Sequence, residues 1–146
     1  MYSILQPLTP VPAAATPLMV QFLENQVQAG FPSPAEDLGA ERLDLTALLV
    51  PNPQATSFMR VSGSSMVNFG INDQDILVVN KSKRPRHGLI VVASVDGEFT
   101  VKKLYKMFGR TKLIAGNPTF VDIVPKDGQT LQIWGVVTSV IKMFPA

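Results

Sequence analysis

The sequence predicts a mainly β protein, in which a compact antiparallel β domain follows an extended N-terminal arm. From residue 56 onward, short β-branched and aromatic runs alternate with turn-forming residues, a pattern typical of a small antiparallel sheet. Residues 1–17 are instead rich in proline and alanine and show no periodicity, as flexible or extended tails do. We therefore predict an arm over residues 1–40 and a β domain over residues 41–146.

Composition limits the possible functions. The chain has 146 residues, of which 46% are hydrophobic and 16% charged, and this is enough for one ordinary globular core. The absence of cysteine excludes disulfides, thiolate metal sites and cysteine nucleophiles, and it fits a reducing, cytoplasmic compartment. We expect no secretory signal and no membrane anchor, because the start lacks basic residues and no stretch of about 20 apolar residues occurs. Without a dinucleotide-binding or P-loop glycine pattern, we also expect no cofactor and no metal.

The end of the arm has two candidate structures. Residues 19–27 carry a loose helical pattern of apolar side chains, consistent with a short amphipathic helix or with a segment that docks on the domain. Residues 29–34 cannot be helical, because Pro32 and Pro34 push the residues before them towards extended conformations. An extended segment is therefore expected just before the domain.

The domain begins with a helix and continues with strands. Asp44 is a suitable N-cap for a short helix over residues 45–50, which Pro51 ends. Strand-forming runs follow at residues 56–61, 76–80, 89–95, 98–105, 111–115, 120–124 and 131–143. Turn-forming residues separate them at residues 72–75, 96–97, 116–118 and 125–128.

The first of these strands ends in Ser62-Gly63-Ser64-Ser65-Met66, a turn-forming run that leaves backbone amides free. A serine hydroxyl becomes a nucleophile when a neighbouring base takes its proton, and free amides can hold the oxyanion that forms on attack. Taken alone, such a run is more often a polar loop. To interpret this run as a nucleophile, a second motif that supplies a base is needed.

The strand predicted over residues 98–105 offers two lysines as that base. Side chains alternate along a strand, so Lys102 and Lys103 lie on opposite faces and only one of them can meet Ser65. Periodicity does not choose between them. A lysine must be neutral to act as a base, and lowering its pKa from ~10.4 to near 7 costs roughly 4–5 kcal/mol of charge solvation. The alternative is a pair of exposed lysines that protect an edge strand from aggregation.

Together these motifs resemble one family. Ser-Gly-x-Ser-Met at residues 62–66, followed by Glu-Phe-Thr-Val-Lys-Lys-Leu at residues 98–104, is similar to the LexA/UmuD group of self-cleaving, peptidase S24-like proteins, and most similar to its UmuD branch. The resemblance runs from residue 29 to about residue 140, and residues 29–35 resemble the family's cleavage site. One departure is Gly88-Leu89, where the family usually has Gly-Asp.

The resemblance implies a Ser-Lys dyad in a domain that both catalyses and dimerises. It assigns Ser65 as the nucleophile, Lys102 as the general base and the backbone amides of Ser64 and Ser65 as the oxyanion site. The cleavage site it implies is the bond between Ala29 and Gly30. A small residue followed by glycine suits that assignment, because glycine allows close backbone approach.

The resemblance also implies a function in the SOS response. RecA filaments on single-stranded DNA would stimulate this serine endopeptidase to remove its own arm. The shortened homodimer would then act as the accessory subunit of an error-prone, UmuC-like Y-family polymerase in translesion synthesis. The alternative is a non-cleaving polymerase-binding module that retains the dyad as a relic. A LexA-like repressor is not expected, because the proline-rich residues 1–28 cannot form a helix-turn-helix domain.

The histidine and the charged residues do not indicate another class of catalytic site. His87 is the only histidine and ends a basic loop over residues 81–87, where charges more often serve solvation than nucleic-acid binding, so a Ser-His-Asp triad is not expected. The formal net charge of +2 combines −4 on residues 1–41 with +6 on the remainder. An acidic arm can therefore lie on a basic domain, although salt screens exposed charges beyond about 8–10 Å.

Overall fold

A computed structural model describes residues 16–23, 27, 29–30 and 40–146 of the chain, which fold mainly into antiparallel strands. The elements in chain order are β1 (Met19–Leu23), β2 (Ala40–Asp44), α1 (Leu45–Leu49), β3 (Thr56–Arg60), β4 (Ile76–Asn80), β5 (Ile90–Val95), β6 (Glu98–Met107), β7 (Arg110–Ile114) and β8 (Leu131–Ile141). The predicted mainly β fold is confirmed. Strands β3 to β8 lie within two residues of the predicted bounds.

The strands form two sheets. One is the pair β1 and β2, and the other has six strands in the order β3-β4-β8-β5-β6-β7. Strand β5 lies in the interior of the larger sheet and is buried on both faces: Val91 and Ala93 belong to one hydrophobic cluster, and Val92 belongs to the other. This explains why β5 is a continuous apolar run rather than an alternating one.

Local sequence signals account for the helix and for one hairpin. The carboxylate of Asp44 accepts a hydrogen bond of 3.0 Å from the backbone N–H of Thr46, so it caps α1 as predicted. Asp96 and Gly97 join β5 to β6 with φ values of 50° and 84°. Two positive φ values in a two-residue loop are the signature of a tight hairpin turn, for which Asp-Gly is a favoured pair.

Two predictions about secondary structure were wrong. Residues 120–124 do not form a strand; within them Ile123 makes only an isolated bridge with Leu113. The side chain of Asp122 accepts the backbone N–H of Ala115 at 3.1 Å, in a place where a strand would offer a backbone acceptor. The proline on either side of the segment, Pro118 and Pro125, also limits its pairing.

The helical alternative for residues 19–27 was the other error. Residues 19–23 form β1, which pairs antiparallel with β2 from Met19 opposite Asp44 to Leu23 opposite Ala40. Five residues are too few for their hydrophobic periodicity to distinguish a helix from a strand. The partner strand favours the strand, because it supplies the backbone hydrogen bonds. The predicted boundary after residue 40 falls at the first residue of β2. Most of the predicted tail over residues 1–17 lies outside the described residues, which include only its residues 16 and 17, and so do residues 31–34 of the segment predicted not to be helical.

Candidate functional site

The structure brings Ser65 and Lys102 together. Ser65 lies in the loop after β3, Lys102 lies near the middle of β6, and the Lys102 Nζ donates a hydrogen bond of 2.9 Å to the Ser65 Oγ. Only 7% of Lys102 is exposed. The neighbouring Lys103 lies on the opposite face of the strand, with its Nζ 4.8 Å from the centre of the Phe69 ring. Only Lys102 therefore contacts the serine.

Lys102 is surrounded by neutral acceptors. Besides Ser65, its Nζ donates to the Thr100 Oγ1 at 2.9 Å and to the Val101 carbonyl oxygen at 3.0 Å. No carboxylate among the described residues pairs with it. Burial lowers the pKa of Lys102, because the low-dielectric surroundings disfavour the charged ammonium. The site thus favours a lysine that can release its proton to become a base.

Two other turns of the chain contact the serine loop and hold it in place. Gly63 has a φ of 104°, which a side chain would strain, and its N–H donates a hydrogen bond of 2.7 Å to the Asp73 carboxylate. On the other side, the Gly116 N–H donates to the Ser65 carbonyl at 2.6 Å, and the Asn117 Nδ2 donates to the Ser64 carbonyl at 2.9 Å. The loop is therefore held by side chains and backbone from two distant turns.

These contacts also orient backbone amides. The C=O and the N–H of a trans peptide lie on opposite sides of the chain, so holding the Ser64 carbonyl fixes the direction of the Ser65 amide. Across the described residues, the amides of Ser64 and Ser65 donate to no acceptor, whereas the amide of Gly63 does. Two adjacent free amides beside a hydroxyl can bind a negatively charged oxygen.

Glycine is required at position 116 for a steric reason. A Cβ atom added there would lie 2.6 Å from the Cδ2 of Phe69, closer than any real contact. The absence of a side chain lets the backbone approach, and the Asn68 N–H donates to the Gly116 carbonyl at 2.7 Å. Met66, whose carbonyl accepts the Phe69 N–H at 3.0 Å, is buried at 1% exposure. The loop is thus anchored by packing as well as by hydrogen bonds.

A cleft of about 150 Å³ opens beside Ser65 and Lys102. Its walls are residues 61–66, residues 99–102 and Phe120. Ala29 and Gly30 are exposed and do not line it. His87 is not in the cleft either, since its Nδ1 accepts the Lys106 N–H at 3.1 Å and its ring packs edge-on against Tyr105.

Sequence reasoning treated three of the supporting residues only as turn formers. Asp73 and the pair Gly116-Asn117 lie in predicted turns, and that composition says nothing about which loop they contact. Thr100 lies two residues before Lys102 and therefore on the same face of the strand, but the sequence did not predict the hydrogen bond between them. In the part of the chain that the structure describes, no group of three or more histidine or acidic side chains could hold a metal ion. No helix there is long and apolar enough to cross a membrane.

Similarity to known proteins extends over most of the chain. The family described as Peptidase S24-like matches residues 19–138. Protein SamA of Salmonella typhimurium strain LT2 is 46% identical over 113 residues, which cover 77% of this chain and 78% of SamA. Protein MucA of Escherichia coli is 44% identical over 120 residues, which cover 82% of each protein. The LexA repressor of Erwinia tasmaniensis is 45% identical over 91 residues, or 62% of this chain and 45% of the repressor.

These relationships support a self-cleaving protease role in the SOS response. The family match spans far more than half of the chain, and the proteins SamA and MucA are covered over more than two thirds of their length. The chain belongs to the Peptidase S24-like family, in its UmuD branch.

Proposed function

We propose that this protein is a serine endopeptidase that cuts its own chain between Ala29 and Gly30, with Ser65 as nucleophile and Lys102 as general base. The observation that carries the proposal is the 2.9 Å contact between the Ser65 Oγ and the Nζ of a buried lysine. A serine activated by an adjacent base is the arrangement that acyl transfer requires.

The reaction proceeds in two balanced halves. Neutral Lys102 takes the hydroxyl proton as the Ser65 oxygen attacks the Ala29 carbonyl carbon. The tetrahedral intermediate collapses, the bond to the Gly30 nitrogen breaks, and the lysine returns its proton to that nitrogen. Neutral Lys102 then takes a proton from water, and the water oxygen attacks the carbonyl carbon of the Ser65 ester. The bond between that carbon and the Ser65 oxygen breaks, the lysine returns its proton to the Ser65 oxygen, and Ala29 leaves with a free carboxylate.

The free amides of Ser64 and Ser65 stabilise the oxyanion in both halves. Negative charge develops on the Ala29 carbonyl oxygen only as the bond to Ser65 forms, so donors aimed at that oxygen lower the barrier rather than merely binding the substrate. Asn117 contributes by holding the Ser64 carbonyl away from the oxyanion.

Cleavage requires the arm to move into the cleft, because Ala29 and Gly30 do not line it in the structure. A more open depression of about 580 Å³ shares Phe99 and Thr100 with the cleft and offers room for residues beside the scissile bond. The RecA filament on single-stranded DNA would act by favouring this pose of the arm, since a stimulator shifts an equilibrium through differential affinity for one state. Tethering the substrate to the domain compensates for a small cleft.

The cleaved form is proposed to be a cytoplasmic homodimer that serves an error-prone, Y-family translesion polymerase. Membership of the UmuD branch supports this role. Cleavage after Ala29 would detach β1, leaving one edge of β2 without its partner strand. An unpaired strand edge is a ready site for pairing with another chain.

Incubation with activated RecA tests the proposal. The purified full chain is mixed with RecA, single-stranded DNA and a nucleotide, and the products are examined by gel and mass spectrometry. We expect a 117-residue fragment that begins at Gly30. If the chain remains intact with RecA and also at alkaline pH, the protein is a non-cleaving binding module with a relic dyad, and the proposal fails.

A further inference from the structure

A strongly basic surface surrounds the hairpin between β6 and β7, away from the cleft. Residues 81–121 contain nine lysines and arginines against two acidic residues, Asp96 and Glu98. Both acids lie at the far end of β6: Glu98 is about 26 Å along the strand from Lys106 at 3.3 Å per residue, beyond the screening length of physiological salt. The positive charge near Lys106 is therefore not offset by these acids.

The fold brings the loop before β5 and the strands β6 and β7 together in one place. The loop before β5 docks on β6, because the Gly88 N–H donates to the Leu104 carbonyl at 2.8 Å and His87 accepts the Lys106 N–H. Strand β7 pairs with β6 alongside. We name the result the basic hairpin surface; its members are Arg86, Tyr105, Phe108, Arg110 and Lys112. Lys106 is not one of them, because it alternates with Tyr105 and lies on the opposite face of β6. None of the three cations of this surface forms a salt bridge with a described residue.

Aromatic rings are interleaved with the cations. The Lys112 Nζ lies 4.8 Å from the centre of the Tyr105 ring, and His87 packs edge-on against the same ring at 5.2 Å. Phe108 stands at the tip of the hairpin with 86% of its surface exposed. A ring at the tip and cations along the strands combine an apolar platform with positive charge.

Folding does not account for Phe108. It occupies the first position of a two-residue turn with a φ of 53°, followed by Gly109 at 72°. Such turns favour Asn, Asp or Gly, and the other hairpin of the sheet uses Asp96 there. A bulky side chain at positive φ costs about 1–2 kcal/mol, and this one buries almost no surface in return. Strain of this kind, where the fold gains nothing, points to a binding role.

We propose that the basic hairpin surface binds single-stranded nucleic acid, with its cations on the phosphates and Phe108 stacked on a base. Exposed aromatic rings beside a positively charged track are the recurrent means of binding unpaired strands. Protection of the edge strand β7 from aggregation would explain the cations but not the exposed ring. An acidic polypeptide would match the positive charge but has no nucleobase to stack on Phe108. The site uses no residue of the cleft, so it does not depend on the cleavage mechanism.

Fluorescence anisotropy with a labelled oligothymidine tests the proposal. The full chain carries Ser65→Ala, so that its length stays constant. We expect binding that weakens with salt, with a slope of log affinity on log salt of about −2.1 for three cations on a single strand. Arg110→Gln should reduce the slope by about 0.7. Lys126→Gln, which removes one exposed charge elsewhere, is the matched control and should leave it unchanged.

The decisive variant is Phe108→Asn. Asparagine suits positive φ, so this variant should melt at an equal or higher temperature than the parent, yet bind oligothymidine at least about fivefold more weakly. Oligouridine in parallel shows whether DNA or RNA is preferred; tight binding of either supports the proposal. Equal affinity of Phe108→Asn, equal affinity for a duplex of the same length, or equally effective displacement by polyglutamate would each overturn it.

Discussion

At the scale of single residues, Lys102 is the side chain whose chemistry the fold changes most. It shares a strand with Lys103, yet it is buried against Ser65 while Lys103 lies over the Phe69 ring. Its three hydrogen-bond partners are neutral, so none of them compensates the loss of water around a charge as a carboxylate would. Burial against these neutral partners lowers the pKa of Lys102.

Replacing either member of the proposed dyad should abolish cleavage. Ser65→Ala removes the nucleophile and Lys102→Met removes the base, whereas Lys103→Met retains a flexible apolar chain over Phe69 and should cleave at nearly the parent rate. The measurement is the RecA-stimulated appearance of the fragment, with a thermal melt of each variant to show that it is folded. Loss of cleavage in Lys103→Met together with activity in Lys102→Met would reverse the assignment of the base.

The rate of cleavage without RecA should depend on the protonation of Lys102. Burial lowers the pKa of Lys102, so its neutral, basic fraction grows as the pH rises through that lowered value. The rate should climb with pH and level off above the folded pKa, below the range in which an exposed lysine titrates. The measurement is the first-order rate between about pH 6 and about pH 10. A rate that does not change over this range, in a protein that cleaves, would exclude lysine deprotonation as the controlling step.

At the scale of elements, the loop after β3 owes its shape to contacts from elsewhere. Its sequence is rich in serine and glycine and has little conformational preference of its own. Asp73, from the turn before β4, and the segment Gly116-Asn117, after β7, fix its amides and carbonyls. The geometry of the proposed catalytic site therefore depends on two turns that carry no proposed catalytic group.

Removing one of these contacts should slow cleavage without unfolding the protein. Asp73→Ala leaves the Gly63 N–H without its carboxylate, and a charged hydrogen bond of this kind contributes about 1.5–3 kcal/mol. We expect a fall of roughly tenfold in the rate of self-cleavage at alkaline pH, with a small change in melting temperature. Asp73→Asn keeps an oxygen acceptor and should restore most of the rate. Parent-like cleavage by Asp73→Ala would show that Gly63 needs no such partner.

At the scale of the whole molecule, the described part of the arm that forms β1 pairs with no strand of the main sheet. Every buried hydrophobic residue of the described core lies between Met59 and Val136. Strand β1 pairs with β2, and its flanking residues bond to Asp44, Leu45 and Thr46, but in the described structure it joins no strand of the six-stranded sheet. Loss of β1 should therefore leave the core intact.

The chain from Gly30 to Ala146 should fold without the residues that precede it. We expect it to melt cooperatively near the temperature of the full chain, to run as a dimer by light scattering, and to support lesion bypass without RecA-driven cleavage. The full chain with Ser65→Ala is the matched control and should fail to support bypass. An unfolded or inactive fragment, beside a full chain that works, would mean that the arm is structural.

Local sequence was sufficient to predict most strands of the sheet. It was insufficient for segments whose conformation depends on whether another strand pairs with them. Residues 76–80 are apolar, β-branched and bounded by turn formers, so β4 has the predicted bounds. Residues 120–124 look similar, yet the side chain of Asp122 takes the Ala115 N–H and no ladder forms. Residues 19–23 become a strand because β2 lies beside them, a fact that their own pattern does not contain.

By itself, the sequence determined the mainly β class, the helix cap, the Asp96-Gly97 hairpin and the two motifs that resemble a self-cleaving family. These follow from preferences of neighbouring residues, which operate over a few positions of chain. The resemblance assigned Lys102 as the base, but only the tertiary structure showed that its Nζ contacts the Ser65 Oγ and that Asp73 and Asn117 hold the serine loop. The tertiary structure also placed Arg110 and Lys112 on the same face as Tyr105. The physical reason is that burial and hydrogen bonding depend on residues distant in sequence, and their positions are set only when the strands pair.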